Sequence, residues 1–321
     1  MPPAGAELET LTVGRVSVDL YPEQIGVPLA AVRTFRKMLG GSPTNVAVAA
    51  ARLGRRSAVI TKVGDDQFGP YVREALEGFG VDPSRVGTDP DLRTPIVFCE
   101  IFPPDHFPLL FYREPKAPDL NLRPEDFDLD EVARVPLFWT TGTALSQEPS
   151  RGSTLAALAA RGRAGITVHD LDYRPMFWPS REEARRLGRE AVAHATVAVG
   201  NLEEVSVVFG DLEPEQAADA LLELGPELAI VKLGPRGVLA RSATEQCVVP
   251  PVEIEVVNGL GAGDAFGGAL CHALLSGWEL ERTIRFANAA GALVAGRLGC
   301  ADDMPTLDEI EELLLRDRAE S

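Results

Sequence analysis

The chain is short of cysteine, short of basic charge and without any long apolar run. Four cysteines stand among its 321 residues, at Cys99, Cys247, Cys271 and Cys300, and no CxxC pair occurs. That argues against a disulfide scaffold or a zinc ribbon and leaves each thiol as a small core residue in a reducing compartment. The most apolar windows are interrupted by charge, as at Asp264 and Arg285, before the ~18–20 residues that a membrane span requires. The opening MPPAGAELET has acidic residues and neither a basic n-region nor an apolar h-region, so no signal peptide is expected. These absences together predict a cytoplasmic protein. Lys and Arg number 31 against 48 Asp and Glu, for a formal net charge of −17. A field of that sign repels nucleic acid and anionic membranes. It leaves room for a phosphate-bearing ligand, because backbone N–H groups can build such a site locally. No GxxxxGK[ST] occurs, which excludes a Walker-type P-loop. The first strand-like run leads to Asp19 and Tyr21 rather than to a GxGxxG, which argues against a dinucleotide-binding oxidoreductase.

What is present is alternation. β-Branched runs at 12–18, 58–63, 138–141, 166–170, 196–199 and 228–233 are separated by amphipathic stretches at 45–53, 71–79, 153–161, 182–193 and 215–224. Strand-then-helix repetition with apolar strands predicts an α/β fold with a mainly parallel sheet covered on both faces. Helical patterns follow at 264–275, 280–298 and 307–315. Two regions break the rhythm. Runs at 94–101 and 109–113 have only a Pro-rich turn between them and read as a hairpin. The stretch 21–37 holds a further short alternating segment. Together they form either a lid that excludes water or decorative edge strands.

Two motifs carry chemistry. Gly259-Leu260-Gly261-Ala262-Gly263-Asp264 follows a strand-like run at 252–257 and opens a long helix. Glycines there leave N–H groups free at a helix N-terminus, which suits an anion. Asp264 in the first turn either complements the helix dipole or, beside a bound phosphate, accepts a proton from an attacking hydroxyl. Gly40-Gly41-Ser42-Pro43-Thr44-Asn45 opens the first helix, with Ser42 suited to the N-cap, Pro43 to the first helical position and Asn45 to the first turn.

These two motifs, in this order and separation, resemble the N- and C-terminal signatures of the ribokinase-like (PfkB) family of carbohydrate kinases. The resemblance covers nearly the whole chain. It implies a single domain over 1–321: a three-layer α/β/α body and a small β-sheet lid formed by about 20–38 and 93–115. It implies ATP as donor, Mg²⁺, and phosphorylation of a sugar hydroxyl. It assigns Asp264 as the catalytic base and the backbone of Gly261, Ala262 and Gly263 as the anion hole. It places Asp19, Gly41 and Asn45 against the sugar, Asn201 and Glu204 as the element organising Mg²⁺ and phosphate (Glu204 through water), and Gly234, Gly237 and Asn288 around the nucleotide. Read without the resemblance, Asp19 is a strand-end turn residue and Asn201 to Glu204 a helix start. Lys232 stands where many members have Thr, and is either a cation for the ATP phosphates or a snorkelling strand-end lysine. Asn258-Gly259-Leu260 replaces the Asp-Thr-Thr of many members, which puts a monovalent-cation site in doubt.

Arg113 and Arg174 bear on the sugar, since Arg grips carboxylate in a bidentate fork. The segment Asp170-Leu-Asp-Tyr-Arg174 is similar to an element of sugar-acid kinases whose Arg meets the substrate carboxylate, and Phe111-Tyr112-Arg113-Glu114 ends the hairpin. Those segments resemble the group of the family that serves myo-inositol catabolism, as do Val18-Asp-Leu-Tyr21, Asp65-Asp-Gln-Phe-Gly69, Ser146-Gln-Glu-Pro-Ser-Arg151 and Asp303-Met-Pro-Thr306. The resemblance implies transfer to the 6-hydroxyl of 5-dehydro-2-deoxygluconate, with Arg174, Tyr112 and Arg113 near the carboxylate. 2-Keto-3-deoxygluconate is the second choice and fructose the third. A non-catalytic sugar or nucleotide sensor is the other class, and it would lack Asp264 or the glycines. Pairing through the lid into a homodimer or larger homo-oligomer is the expected assembly, with no nucleic acid or membrane partner.

Overall fold

The structure, a computed structural model, describes residues 7–320. The first six residues, on which part of the N-terminal reading rests, lie outside the described residues. No helix among the described residues is long and apolar enough to cross a membrane.

The chain enters as β1 (Thr10–Val13), four buried residues paired in parallel with β4 (Ser57–Gly64) and β9 (Leu137–Thr141). The apolar run at 12–18 is therefore not one strand. β1 stops at Val13, Gly14 takes φ 132°, and the chain crosses into a second sheet as β2 (Ser17–Pro22). Both halves are buried, so hydrophobicity runs on where the hydrogen-bonding partner changes. β2 pairs antiparallel with β3 (Phe35–Gly40) and parallel with β7 (Ile96–Cys99). β7 in turn pairs antiparallel with β8 (Leu109–Tyr112). This is the expected hairpin plus the 21–37 excursion, closed into a four-stranded sheet ordered β3-β2-β7-β8.

The large sheet adds β5 (Val81–Asp82), β6 (Val86–Asp89), β10 (Ile166–Asp170), β11 (Val197–Asn201), β12 (Leu228–Lys232), β13 (Val238–Ser242) and β14 (Gln246–Val249). Its order is β14-β13-β12-β11-β10-β9-β1-β4-β5, with β6 beside β4. From β12 to β5 the pairs are parallel; β13 and β14 close that edge antiparallel. The run at 252–257, expected as a strand, is none. β14 is the edge strand, and Pro250 and Pro251 follow it directly, removing two ladder donors. The segment is held instead by Val257 and Asn258 N–H groups, both donating to the Ala295 carbonyl.

Alternation along the strands sorts the helices into two layers. Val59, Trp139 and Ile230 face α1 (Ser42–Arg52), α2 (Phe68–Gly78), α8 (Ala262–Leu275), α9 (Leu280–Ala295) and α10 (Leu307–Glu320). Their neighbours Ala58, Phe138 and Ala229 face α3 (Leu129–Arg134), α4 (Ser150–Arg161), α5 (Arg181–His194), α6 (Leu202–Phe209) and α7 (Pro214–Glu223). Within the first layer α1 and α8 touch backbone to backbone. A Cβ on Gly268 would lie 2.2 Å from the Ala49 Cβ and 2.8 Å from the Ala50 nitrogen. Small residues at this crossing bring the N-termini of the two helices together.

Candidate active site

In an open parallel sheet, ligands sit beyond the carboxyl ends of the strands. Arg15 follows β1, Asp170 ends β10 with Asp172 and Arg174 just past it, Asn201 ends β11 and Lys232 ends β12. All of these except Asn201 line one cleft of about 180 Å³. The small sheet forms the other wall. Its register places Asp19 opposite Val97, and Val97 opposite Phe111. Residues in register share a face, as do residues two apart. Ser17, Asp19, Tyr21, Val97, Leu109 and Phe111 accordingly look into the cleft.

The floor is made by the two helix N-termini. Gly41, at φ 103°, caps α1, and a Cβ there would lie 2.4 Å from the Arg15 carbonyl oxygen. Ser42 and Pro43 therefore sit one position further into the helix than their types suggest. α8 is capped by Gly261 at φ 83° with no side-chain cap, so the amides of Ala262, Gly263 and Asp264 have no intrahelical partner. Asn45 Nδ2 donates to Asp264 Oδ2 at 2.8 Å and ties the two termini together. Asn45 Oδ1 is buried without a partner among the described residues.

The carboxyl groups of the cleft divide by environment. Burial pushes Asp264 up to about 6, against hydrogen bonds from Asn45 and Ser42 that favour its charged form. Burial also pushes Asp19 to about 6, although the Ser17 hydroxyl donates to it at 2.6 Å. Asp170 and Glu204 are raised chiefly by burial, with Lys232 working the other way. Asp172 goes down: burial opposes its charge, but Arg15, Arg174 and the Thr143 hydroxyl prevail. Burial works against the Lys232 ammonium, yet Asp170, Glu204 and Asp264 hold it above its usual range. A Cβ on Gly263 would lie 3.6 Å from Lys232 Nζ, so that cation stands beside the free amides of α8.

Residues 8–307 match the model of the pfkB family carbohydrate kinases. The chain belongs to that family. Among curated relatives, the 5-dehydro-2-deoxygluconokinase of Shouchella clausii is 33% identical over 97% of this chain and 96% of its own length. That of Geobacillus kaustophilus is 34% identical over 97% and 95%. Among solved structures, a fructokinase double mutant from Vibrio cholerae with fructose, ADP and potassium ion bound has a TM-score of 0.84 at 28% identity, covering 96% of this chain and 99% of that one. An E. coli protein assigned as ribokinase II, in complex with ATP and Mg²⁺, has a TM-score of 0.86 at 26% identity over the same shares. The ribokinase-like α/β fold and the activity class, a kinase with an alcohol acceptor, follow from these matches.

On this PfkB scaffold the positions singled out in the sequence separate. Asp19, Gly41, Asn45, Arg174, Glu204, Lys232, Gly261, Gly263 and Asp264 meet in the cleft. Asp19 lies inside β2, not at the end of the first strand. Asn201 and Glu204 form a reciprocal cap, each side chain accepting from the other's N–H at 2.8 Å, and this fixes Glu204 pointing inward. Gly234 and Gly237 form the turn between β12 and β13. A Cβ on Gly237 would lie 2.9 Å from Pro250 Cα, and Asn288 Nδ2 donates to the Pro250 carbonyl at 2.7 Å, so these two converge outside the cleft proper. Tyr112 does not face the cleft. It is 60% exposed on the outer face of the small sheet, and its neighbour Phe111 lines the cleft instead. Arg113 is engaged elsewhere, with both terminal nitrogens on Asp119. Asn258 uses its side chain on the Leu298 carbonyl and the Leu260 amide. Arg15 belongs to the cleft as well, although in the sequence one charge inside an apolar run reads as an interruption of a strand.

Proposed function

We propose that this kinase transfers the γ-phosphoryl group of ATP to the 6-hydroxyl of 5-dehydro-2-deoxygluconate. The observation that carries the proposal is Asp264, held by Asn45 beside the free amides of α8 and facing Asp19 across the cleft. The names of the curated relatives supply the substrate. Asp19, Gly41 and Asn45 hold the sugar hydroxyls, and Arg174 takes the carboxylate. Asp264 receives the hydroxyl proton as that oxygen attacks the γ-phosphorus and ADP departs. The amides of Ala262, Gly263 and Asp264 stabilise the charge on the transferring oxygens, and Lys232 faces the phosphates from the other side. Gly234, Gly237 and Asn288 surround the nucleotide.

The acidic oxygens of Asp170, Glu204 and Asp264 are the hard donors that Mg²⁺ prefers, and no group of three such residues forms a closed cage among the described residues. Glu204, through water, and Asn201 would hold such an ion near the nucleotide. When bound it supplies neutralisation of phosphate charge. The whole chain works as one unit, with the small sheet over about 20–38 and 93–115 acting as a lid. Leu110 and Tyr112, 47% and 60% exposed on its outer face, support pairing of lids between copies.

ATP turnover over a panel of sugar acids and neutral hexoses tests the assignment. The expected order puts 5-dehydro-2-deoxygluconate ahead of any neutral hexose by ~10²-fold or more in kcat/KM. Higher kcat/KM with 2-keto-3-deoxygluconate or with fructose would overturn the named substrate. A second expectation concerns Asn45. Its hydrogen bond favours the Asp264 carboxylate, so Asn45→Ala should move the acid limb of kcat/KM upward from about 6. An unmoved or lowered limb would remove that bond from the account.

A further inference from the structure

We infer that Arg15 is a specificity-determining residue that receives the substrate's carboxylate together with Arg174. This rests on the sugar-acid reading above and goes beyond it, because none of the assigned positions includes Arg15. The residue lies where the chain passes from the large sheet to the small one. Its carbonyl accepts from the Thr44 hydroxyl at 2.8 Å, which pins it to the N-terminus of α1. It is 8% exposed, and the part that shows faces the cleft.

The guanidinium is oriented but not saturated. Nη2 donates to Asp172 Oδ2 and Nε to Thr143 Oγ1, both at 3.3 Å, while Nη1 has no partner among the described residues. Arg174 places Nη2 3.2 Å from Asp172 Oδ1 and donates through Nη1 to its neighbour's carbonyl. Asp172 thus stands between two guanidiniums, one on each oxygen. Its Oδ2 also accepts from the Thr143 hydroxyl at 2.7 Å, and the residue holds φ 28°, a conformation that non-glycine residues seldom adopt. A buried aspartate strained into place to align two arginines is a support for them. Both arginines line the cleft beside it, where a planar carboxylate would take up donors they leave unused.

The neighbours support this reading. Asp19, the other acid on this side, takes its hydrogen bond from Ser17 rather than from Arg15. Arg113 has both terminal nitrogens on Asp119, whose Oδ2 also accepts the Val16 N–H at 3.0 Å. It therefore steadies the backbone next to Arg15 and has little left to offer a ligand. The Phe177 ring lies 5.8 Å from the Arg15 guanidinium and 5.2 Å from that of Arg113, and meets Phe111 edge-on at 4.9 Å. Arg15 is largely shielded from water, and a charge so placed holds an anion more strongly than one in open solvent.

The test compares the sugar acid with its carboxamide on the wild type, Arg15→Gln and Arg15→Lys. Each enzyme is scored by the acid-over-amide ratio of kcat/KM, so a variant that folds poorly loses both rates and leaves the ratio intact. The ratio should fall roughly 10–100-fold in Arg15→Gln, the size of a hydrogen bond to a charged group. Arg15→Lys should lie between the two, keeping the charge without the fork. A ratio unchanged in Arg15→Gln, with discrimination present in the wild type, would overturn the role of Arg15 and leave the sugar-acid reading standing. Absence of discrimination in the wild type would overturn the sugar-acid reading itself.

Discussion

Asp264→Asn should lower kcat by ~10²–10⁴-fold, the range expected when a positioned general base is removed. ATP affinity, measured by calorimetry, should change little, because the amides of α8 and the nucleotide loop are untouched. The same variant should be more stable than the wild type at neutral pH. The carboxyl titrates at about 6 in the folded chain against 3.8 for an ordinary aspartate, so the folded state holds the proton longer. Ionising it opposes folding: the wild type loses stability as pH rises from about 4 to 6 and stays lower above that. Removing the charge should return ~1–3 kcal/mol at pH 8 and almost nothing at pH 4. Thermal melts of both proteins across that range check the sign. Near-normal turnover, or a variant less stable at pH 8 than at pH 4 relative to wild type, would contradict the role given to Asp264.

Gly268→Val should have the largest effect on stability. A Cβ there falls 2.2 Å from the Ala49 Cβ, and the atom behind it is backbone that cannot swing away. α1 and α8 must separate, at a cost of ~3 kcal/mol or more in urea unfolding. The separation also pulls apart the Asn45–Asp264 contact of 2.8 Å, so the folded fraction should lose kcat as well. Gly78→Ala makes the matched control. It ends α2 where a methyl group meets nothing within 4 Å, and its effect should stay below ~1 kcal/mol. Equal stability of the two variants would show that the close approach of α1 and α8 does not set the geometry.

The parallel core was legible from the chain because its strands are buried on both faces. Runs such as 166–170 coincide with β10, and the amphipathic stretches between runs became helices. The crossing from β1 to β2 was not legible. Both strands are apolar there, and hydrophobicity does not record which sheet a residue joins. β13 and β14 were not legible because edge strands carry mixed polarity, as in Gln246–Val249, whereas the start of α6 was marked by Asn201 and Glu204, which cap it. In the site, the motif glycines were legible because Gly41 and Gly261 hold positive φ at helix starts, and the roles expected of Asp264 and Asn45 came with the family resemblance. The carboxylate-binding side was less so. Tyr112 and Phe111 differ by one position, and a single step along a strand exchanges inside for outside. Arg113 has a partner, Asp119, that only the fold reveals, whereas Arg15 is charged within an apolar run and looks like a blemish until the cleft is seen. The charge of −17 is met locally: the cations in the cleft, Arg15, Arg174 and Lys232, are each set against buried carboxylates.

The most direct measurement of the central claim is identification of the phosphorylated product by ³¹P and proton NMR after ATP is mixed with 5-dehydro-2-deoxygluconate and Mg²⁺. The account predicts one phosphomonoester, coupled to the two protons of the terminal C6 methylene, formed in step with ADP. Phosphate on another carbon, or release of inorganic phosphate without a sugar product, would contradict it.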